Sequence, residues 1–193
     1  MKSAFLKSGA IGLSLILAGC ATGGGGAASV VGGTDVARFH LGEQTIARSQ
    51  IAIEPFDRAD ANRPEFAVYA STVARELTRL GWTVVRGGTA TEQVALIDVE
   101  QGSRQAIAAL SAARIGRGVA PSAPTGSDAG ITATLLEVAI RRRSDATVFW
   151  EGRAVSEART GTAMASSTVG IERLAIALFR DFPGESGRTI RVK

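Results

Sequence analysis

Apolar side chains recur at spacings of three and four through Phe66, Tyr69, Val73, Leu77 and Leu80. That spacing stacks them on one face and predicts an amphipathic helix. Asn62 and Pro64 open it, because asparagine caps helix starts and proline is tolerated in the first turn. Gly81 closes it. A second stripe, Ile171, Leu174, Ala175, Leu178, Phe179 and Phe182, predicts a helix over Thr162 to Phe182 that Pro183-Gly184 stops.

Alternation marks the strands. It predicts them over Val36 to Leu41, Gln50 to Glu54, Trp82 to Arg86, Gln93 to Gln101, Ile131 to Ile140, Thr147 to Glu157 and Thr189 to Val192. In Gln93 to Gln101, Ala95, Ile97 and Val99 share one face, while Val94, Leu96, Asp98 and Glu100 share the other. Leu136, Val138 and Ile140 stand across a hairpin from Val148, Trp150, Gly152 and Ala154. Arg141-Arg142-Arg143-Ser144-Asp145 turns its corner, and Gly87-Gly88 makes another turn. Trp150 reads as core, whereas Trp82, just past a helix end, reads as partly exposed. The stretch 102–130 is rich in small residues: Ile107 to Arg114 predicts one or two helical turns, and Gly116 to Gly130 a loop of unusual length.

Helices are too few to cover both faces of a parallel sheet. The expected fold is therefore α+β, a two-layer sandwich: a mainly antiparallel sheet with two main helices on one face. The other sheet face is then solvated, packed against the loop, or a contact surface.

The first residues follow a different pattern. Lys2 and Lys7 precede an apolar run from Ser8 to Ala18, then Gly19 and Cys20. A basic start, a short apolar stretch and small residues before a cut site make a secretory signal. The run is too short to span a bilayer core of roughly 30 Å. Leu17-Ala18-Gly19-Cys20 resembles the lipobox of bacterial lipoproteins. That resemblance implies a diacylglycerol on the Cys20 sulfur, cleavage between Gly19 and Cys20, and acylation of the new amine. Two or more acyl chains anchor stably, at about 0.8 kcal/mol per buried methylene. By the same resemblance, Ala21, where an aspartate would imply inner-membrane retention, implies the periplasmic face of the outer membrane of a Gram-negative cell. Residues 21–34 then form a Gly-rich tether with an r.m.s. reach of about 20 Å. The organisation is thus a signal peptide over 1–19, a tether over 20–34 and one globular domain over 35–193.

Composition narrows the chemistry. Without Lys2 and Lys7 the chain carries 20 basic and 18 acidic residues, a net charge of +2 that implies no nucleic-acid partner. One cysteine permits no internal disulfide and no thiolate metal site, and one histidine excludes a His-rich metal site. No phosphate-cradling, dinucleotide or nucleophile-elbow motif is present, so no cofactor is expected.

Three pieces carry a family resemblance: the Phe66 to Trp82 element flanked by strands, Val148-Phe149-Trp150-Glu151-Gly152, and Leu178-Phe179-Arg180-Asp181-Phe182-Pro183-Gly184. Behind a lipobox and a tether, they resemble the domain-of-unknown-function 4136 lipoproteins of Gram-negative bacteria over about residues 35–185. The resemblance implies an envelope lipoprotein with an α/β fold and brings no catalytic residues.

Four candidates remain. His40 is the one possible general base, though no serine or carboxylate is tied to it by sequence. Asp98 and Glu100 lie about 7 Å apart on one strand face, a spacing open to glycosidic chemistry and equally to two solvated acids. Arg141, Arg142 and Arg143 form a dense cationic tip that could touch lipid or glycan phosphates, or simply face water. Cys20 is the lipid attachment point. The leading expectation is a non-enzymatic envelope lipoprotein that binds or scaffolds other envelope proteins. The alternative is a lipid or glycan binder using the 102–130 loop and the arginine tip, and a hydrolase stands third.

Overall fold

The computed structural model describes residues 32–85, 91–113 and 129–193. Seven strands form one sheet: β1 (Thr34–His40), β2 (Gln50–Pro55), β3 (Thr83–Val85), β4 (Gln93–Gly102), β5 (Ile131–Arg142), β6 (Val148–Arg159) and β7 (Thr189–Val192). Their spatial order is β3-β2-β4-β5-β6-β1-β7. β2 runs parallel to β3 and β4, and the remaining pairs are antiparallel. Three α-helices accompany them: α1 (Pro64–Arg79), α2 (Arg104–Ala113) and α3 (Ser167–Phe179). The expected α+β sandwich is the observed fold.

α1 and α3 pack side by side on one sheet face. Val73 and Leu77 of α1 and Ile171, Leu174, Ala175 and Leu178 of α3 join Ala95, Ile97, Leu136, Val138, Ile140, Trp150 and Ala154 in the main core. Alternation assigned these strand residues to one face, but Val148, assigned with them, lies on the other: a bulge shifts the register between Ile140 and Arg141 and puts Phe149 in the core. Trp150 stacks on Phe179 with ring centroids 5.4 Å apart. A Cβ at Gly152 would run into the Trp150 ring and stand 2.7 Å from Leu178. Glycine there is what lets the indole lie flat across β6.

Several boundaries differ from the sequence expectation, each for a local reason. Asn62 does not cap α1. Pro64 drives the residue before it into extended backbone, so Arg63 becomes the N-cap with φ −74° and ψ 132° and no side-chain cap bond. Asn62 instead ends a short 3-10 turn, Arg58–Asn62, capped by Asp57. α3 starts at Ser167 and ends at Phe179, because Ser166 and Arg180 are both extended. Phe182 is therefore off the helix, yet its ring returns to meet Trp150 at 5.1 Å and Trp82 edge-on at 5.4 Å. Trp82 is buried, at 2% exposure, where partial exposure was expected. Its indole N–H donates to Gln93 Oε1 at 2.9 Å, which removes the usual cost of burying that donor. Arg141 and Arg142 are the last residues of β5, so the corner itself starts at Arg143.

The second sheet face is covered in part. α2 lays Ile107 and Leu110 against Ala133, Leu135 and Val155. These strand positions alternate with the main-core set and so lie on the opposite side. Arg104 at the start of α2 holds Glu157 with two bonds of 2.7 and 2.6 Å. The signal peptide, Gly19, Cys20, most of the tether, the Gly87-Gly88 turn and most of the 116–130 loop lie outside the described residues.

Candidate functional site

Beyond α2 the second sheet face carries charge. Strand pairing sets Asp98 of β4 opposite Glu137 of β5, and Glu137 opposite Arg153 of β6. The Arg153 guanidinium donates to Glu151 at 2.6 Å and to Glu137 at 3.3 Å. The side chains of Glu137 and Glu151 are only 8% and 11% exposed. Two carboxylates and a guanidinium taken out of water are expensive unless they satisfy one another. The rigid strands hold them in contact.

Beside this cluster is a hollow of about 380 Å³, lined by Phe56, Asp98, Glu137, Ala139, Glu151 and Arg153. A neighbouring hollow of about 520 Å³ is lined by Glu54, Pro55, Phe56, Arg58, Leu96 and Arg141. Phe56, 43% exposed, lines both. The face is thus a trough, acidic at one end and basic at the other, with an apolar floor and an aromatic between. Among the described residues no cluster of three or more His, Cys, Asp or Glu side chains suits a metal ion.

The sequence candidates fall in separate places. Asp98 belongs to the trough and faces Glu137, while Glu100 sits opposite Leu135, toward the end that α2 covers. The three arginines do not converge. Arg142 pairs with Asp145 at 2.7 Å. Arg143 grips Glu54 at 2.6 and 3.3 Å and donates to the Thr91 carbonyl. That bond to Glu54, offset in part by desolvation, raises the Arg143 pKa above the ordinary arginine value. Arg141 lines the basic hollow, and its Nε is buried with no hydrogen-bond partner. Asp145 accepts the Thr147 backbone N–H, which with the Arg142 bond holds its carboxyl below the usual aspartate value.

His40 is engaged on both ring nitrogens. Nδ1 accepts from the Gly42 backbone N–H at 3.2 Å, and Nε2 lies 3.0 Å from the Gly184 carbonyl. The proton therefore sits on Nε2, and the ring ties the end of β1 to the 184–187 segment.

Two arrangements escaped the sequence reading. Arg38 is 2% exposed. Its guanidinium donates to the carbonyls of Leu178, Ala177 and Arg180 at 2.8, 2.9 and 2.9 Å. It caps the C-terminus of α3, where a cation also suits the helix dipole. Burial lowers its pKa, while the Asp181 charge acts the other way. The Glu137-Glu151-Arg153 cluster was the other. Its one sequence cue is a lone carboxylate, Glu137, inside the apolar run Leu135 to Ile140.

No family model matches the chain. An uncharacterised protein of Zymomonas mobilis is 26% identical over 212 residues, covering 82% of this chain and 80% of that protein. A PDZ domain protein from Parabacteroides distasonis superposes with a TM-score of 0.52 at 12% identity, over 82% of this chain and 39% of that one. A presumed lipoprotein from Caulobacter crescentus gives a TM-score of 0.32 at 14% identity, over 67% of this chain and 82% of that one. The Parabacteroides likeness concerns the fold alone. No helix among the described residues is long and apolar enough to cross a membrane.

Proposed function

We propose that this chain is a lipid-anchored protein of the bacterial envelope, of the domain-of-unknown-function 4136 kind, that works by binding other envelope components. The observation that carries the reading is the lone Cys20 at the end of a secretory-type signal, in Leu17-Ala18-Gly19-Cys20. Ala21 supports the periplasmic face of the outer membrane as its address. The engagement of both His40 nitrogens in structural bonds supports a role other than general-base catalysis. The trough offers a preformed concave surface of mixed charge, which suits recognition.

Cys20→Ser tests the anchor. The variant leaves the membrane fraction, and the wild-type N-terminal peptide carries the mass of its acyl chains. Retention of the variant on the membrane, or an unmodified cysteine in the wild type, overturns the reading.

A second reading rests on Arg141 Nε, buried and without a hydrogen-bond partner at the basic hollow. An anionic lipid or glycan phosphate would meet Arg141 and Arg58 there, with Phe56 against its apolar part. Arg141→Glu abolishes binding to phosphatidylglycerol vesicles in this reading, while Arg142→Glu, whose partner is Asp145, leaves it intact. Equal loss in both variants removes the hollow as the site.

A further inference from the structure

Among the described residues, β7 is an outer strand of the sheet, with β1 as its one neighbour. Its far edge therefore presents backbone donors and acceptors that no described strand takes up. Beside that edge, on the helix side, lies a groove of about 370 Å³ between β7 and the outer flank of α3. Val192 and Thr34 form one wall, and Val169, Ile176 and Ala177 the other. Val169 and Ile176 are 44% and 52% exposed, two of the five large apolar side chains that stand out from the described surface.

We infer that this edge and groove receive an extended, acidic strand from another polypeptide. An added strand takes its affinity from main-chain bonds and its specificity from alternate side chains entering pockets. Every second residue of such a strand would lie over Val169 and Ile176. Its charge is set by the rim. Arg173, Arg180 and Lys193 line the groove, and the one acidic side chain among the lining residues, Glu172, is tied to Arg75 of α1 at 2.9 Å. Arg173 is held over the floor by its bond to Thr34 Oγ1 at 3.4 Å. A second copy of this chain does not fit. The β7 strand of a second copy, Thr-Ile-Arg-Val, carries no carboxylate to offer a rim that Arg173, Arg180 and Lys193 already make basic. The inference adds a second surface, apart from the trough, to the binding role proposed above, and it does not depend on the lipid at Cys20.

The test is fluorescence anisotropy on the full chain in neutral detergent micelles. The probe is a short labelled peptide that alternates valine or isoleucine with glutamate. Two control peptides carry lysine in place of glutamate, or backbone N-methyl groups on alternate residues. The acidic peptide binds, and both controls bind about tenfold more weakly or worse. The double variant Ile176→Asp, Arg180→Glu loses binding with its melting temperature unchanged, since both side chains are exposed. Four results overturn the inference: no binding of the acidic peptide, equal binding of the N-methylated one, binding to phosphatidylglycerol vesicles alone, and a concentration-dependent dimer that the double variant abolishes.

Discussion

The two faces of the sheet are built on opposite principles. Toward α1 and α3 the strands present Ala95, Ile97, Leu136, Val138 and Ile140, closed over by helices and an aromatic group. Toward the other side the same strands present Asp98, Glu137, Glu151 and Arg153. One face gains stability from apolar area removed from water, at roughly 25 cal/mol per Å². The other spends desolvation energy to hold charges in a fixed array. A surface of the second kind does little for the fold that apolar residues would not do better, which is why the binding role is placed there.

The largest effect belongs to the closed face. Trp150→Ala removes the ring that packs on both Phe179 and Phe182, and a buried tryptophan cut to alanine costs about 3–5 kcal/mol. Chemical denaturation should show it as a fall in midpoint at unchanged slope. A loss under 1 kcal/mol would mean that the helical layer is not the main source of stability.

The next effect sharpens the contrast. Arg153→Leu leaves Glu137 and Glu151 buried beside each other, a loss of about 3 kcal/mol. Replacing all three by apolar residues of similar volume restores wild-type stability or exceeds it. A triple variant as unstable as Arg153→Leu alone would show that the charges support the fold itself.

The smallest effect is at the hairpin. The Thr147 N–H and Arg142 hold the Asp145 carboxyl below its ordinary value. A depressed carboxylate stabilises the fold above its unfolded pKa, and that gain is lost as pH falls through the folded one. Asp145→Asn should therefore lower the melting temperature slightly near neutral pH. The gap should close in acid. A gap that widens in acid reverses the assignment.

The closed face could be read from sequence because its information is periodic. Val73, Leu77, Ile171, Leu174 and Leu178 recur at helical spacing, and Ala95, Ile97 and Val99 alternate, so each element declares which side is wet. The charged face could not, because its contacts are set by a hairpin register that a bulge between Ile140 and Arg141 shifts. Arg153 and Glu137 meet through strand register. Arg38 reaches a helix end 140 residues away. Arg141, Arg142 and Arg143 mislead in the opposite direction: adjacent in sequence, they are sent apart by the pleat and by separate acidic partners. Trp82 follows a helix terminator, and nothing local announces that Phe182 closes over it.

β1, the first strand, finds both its neighbours in the last third of the sequence. Thr34 lies opposite Val192, and His40 opposite Trp150. Such long-range pairing slows folding. A polypeptide threaded head-first through a translocation pore would keep its leading strand waiting until the trailing end emerged. On the export route proposed above, its sheet would close only after passage is complete, and the chain would stay threadable until then.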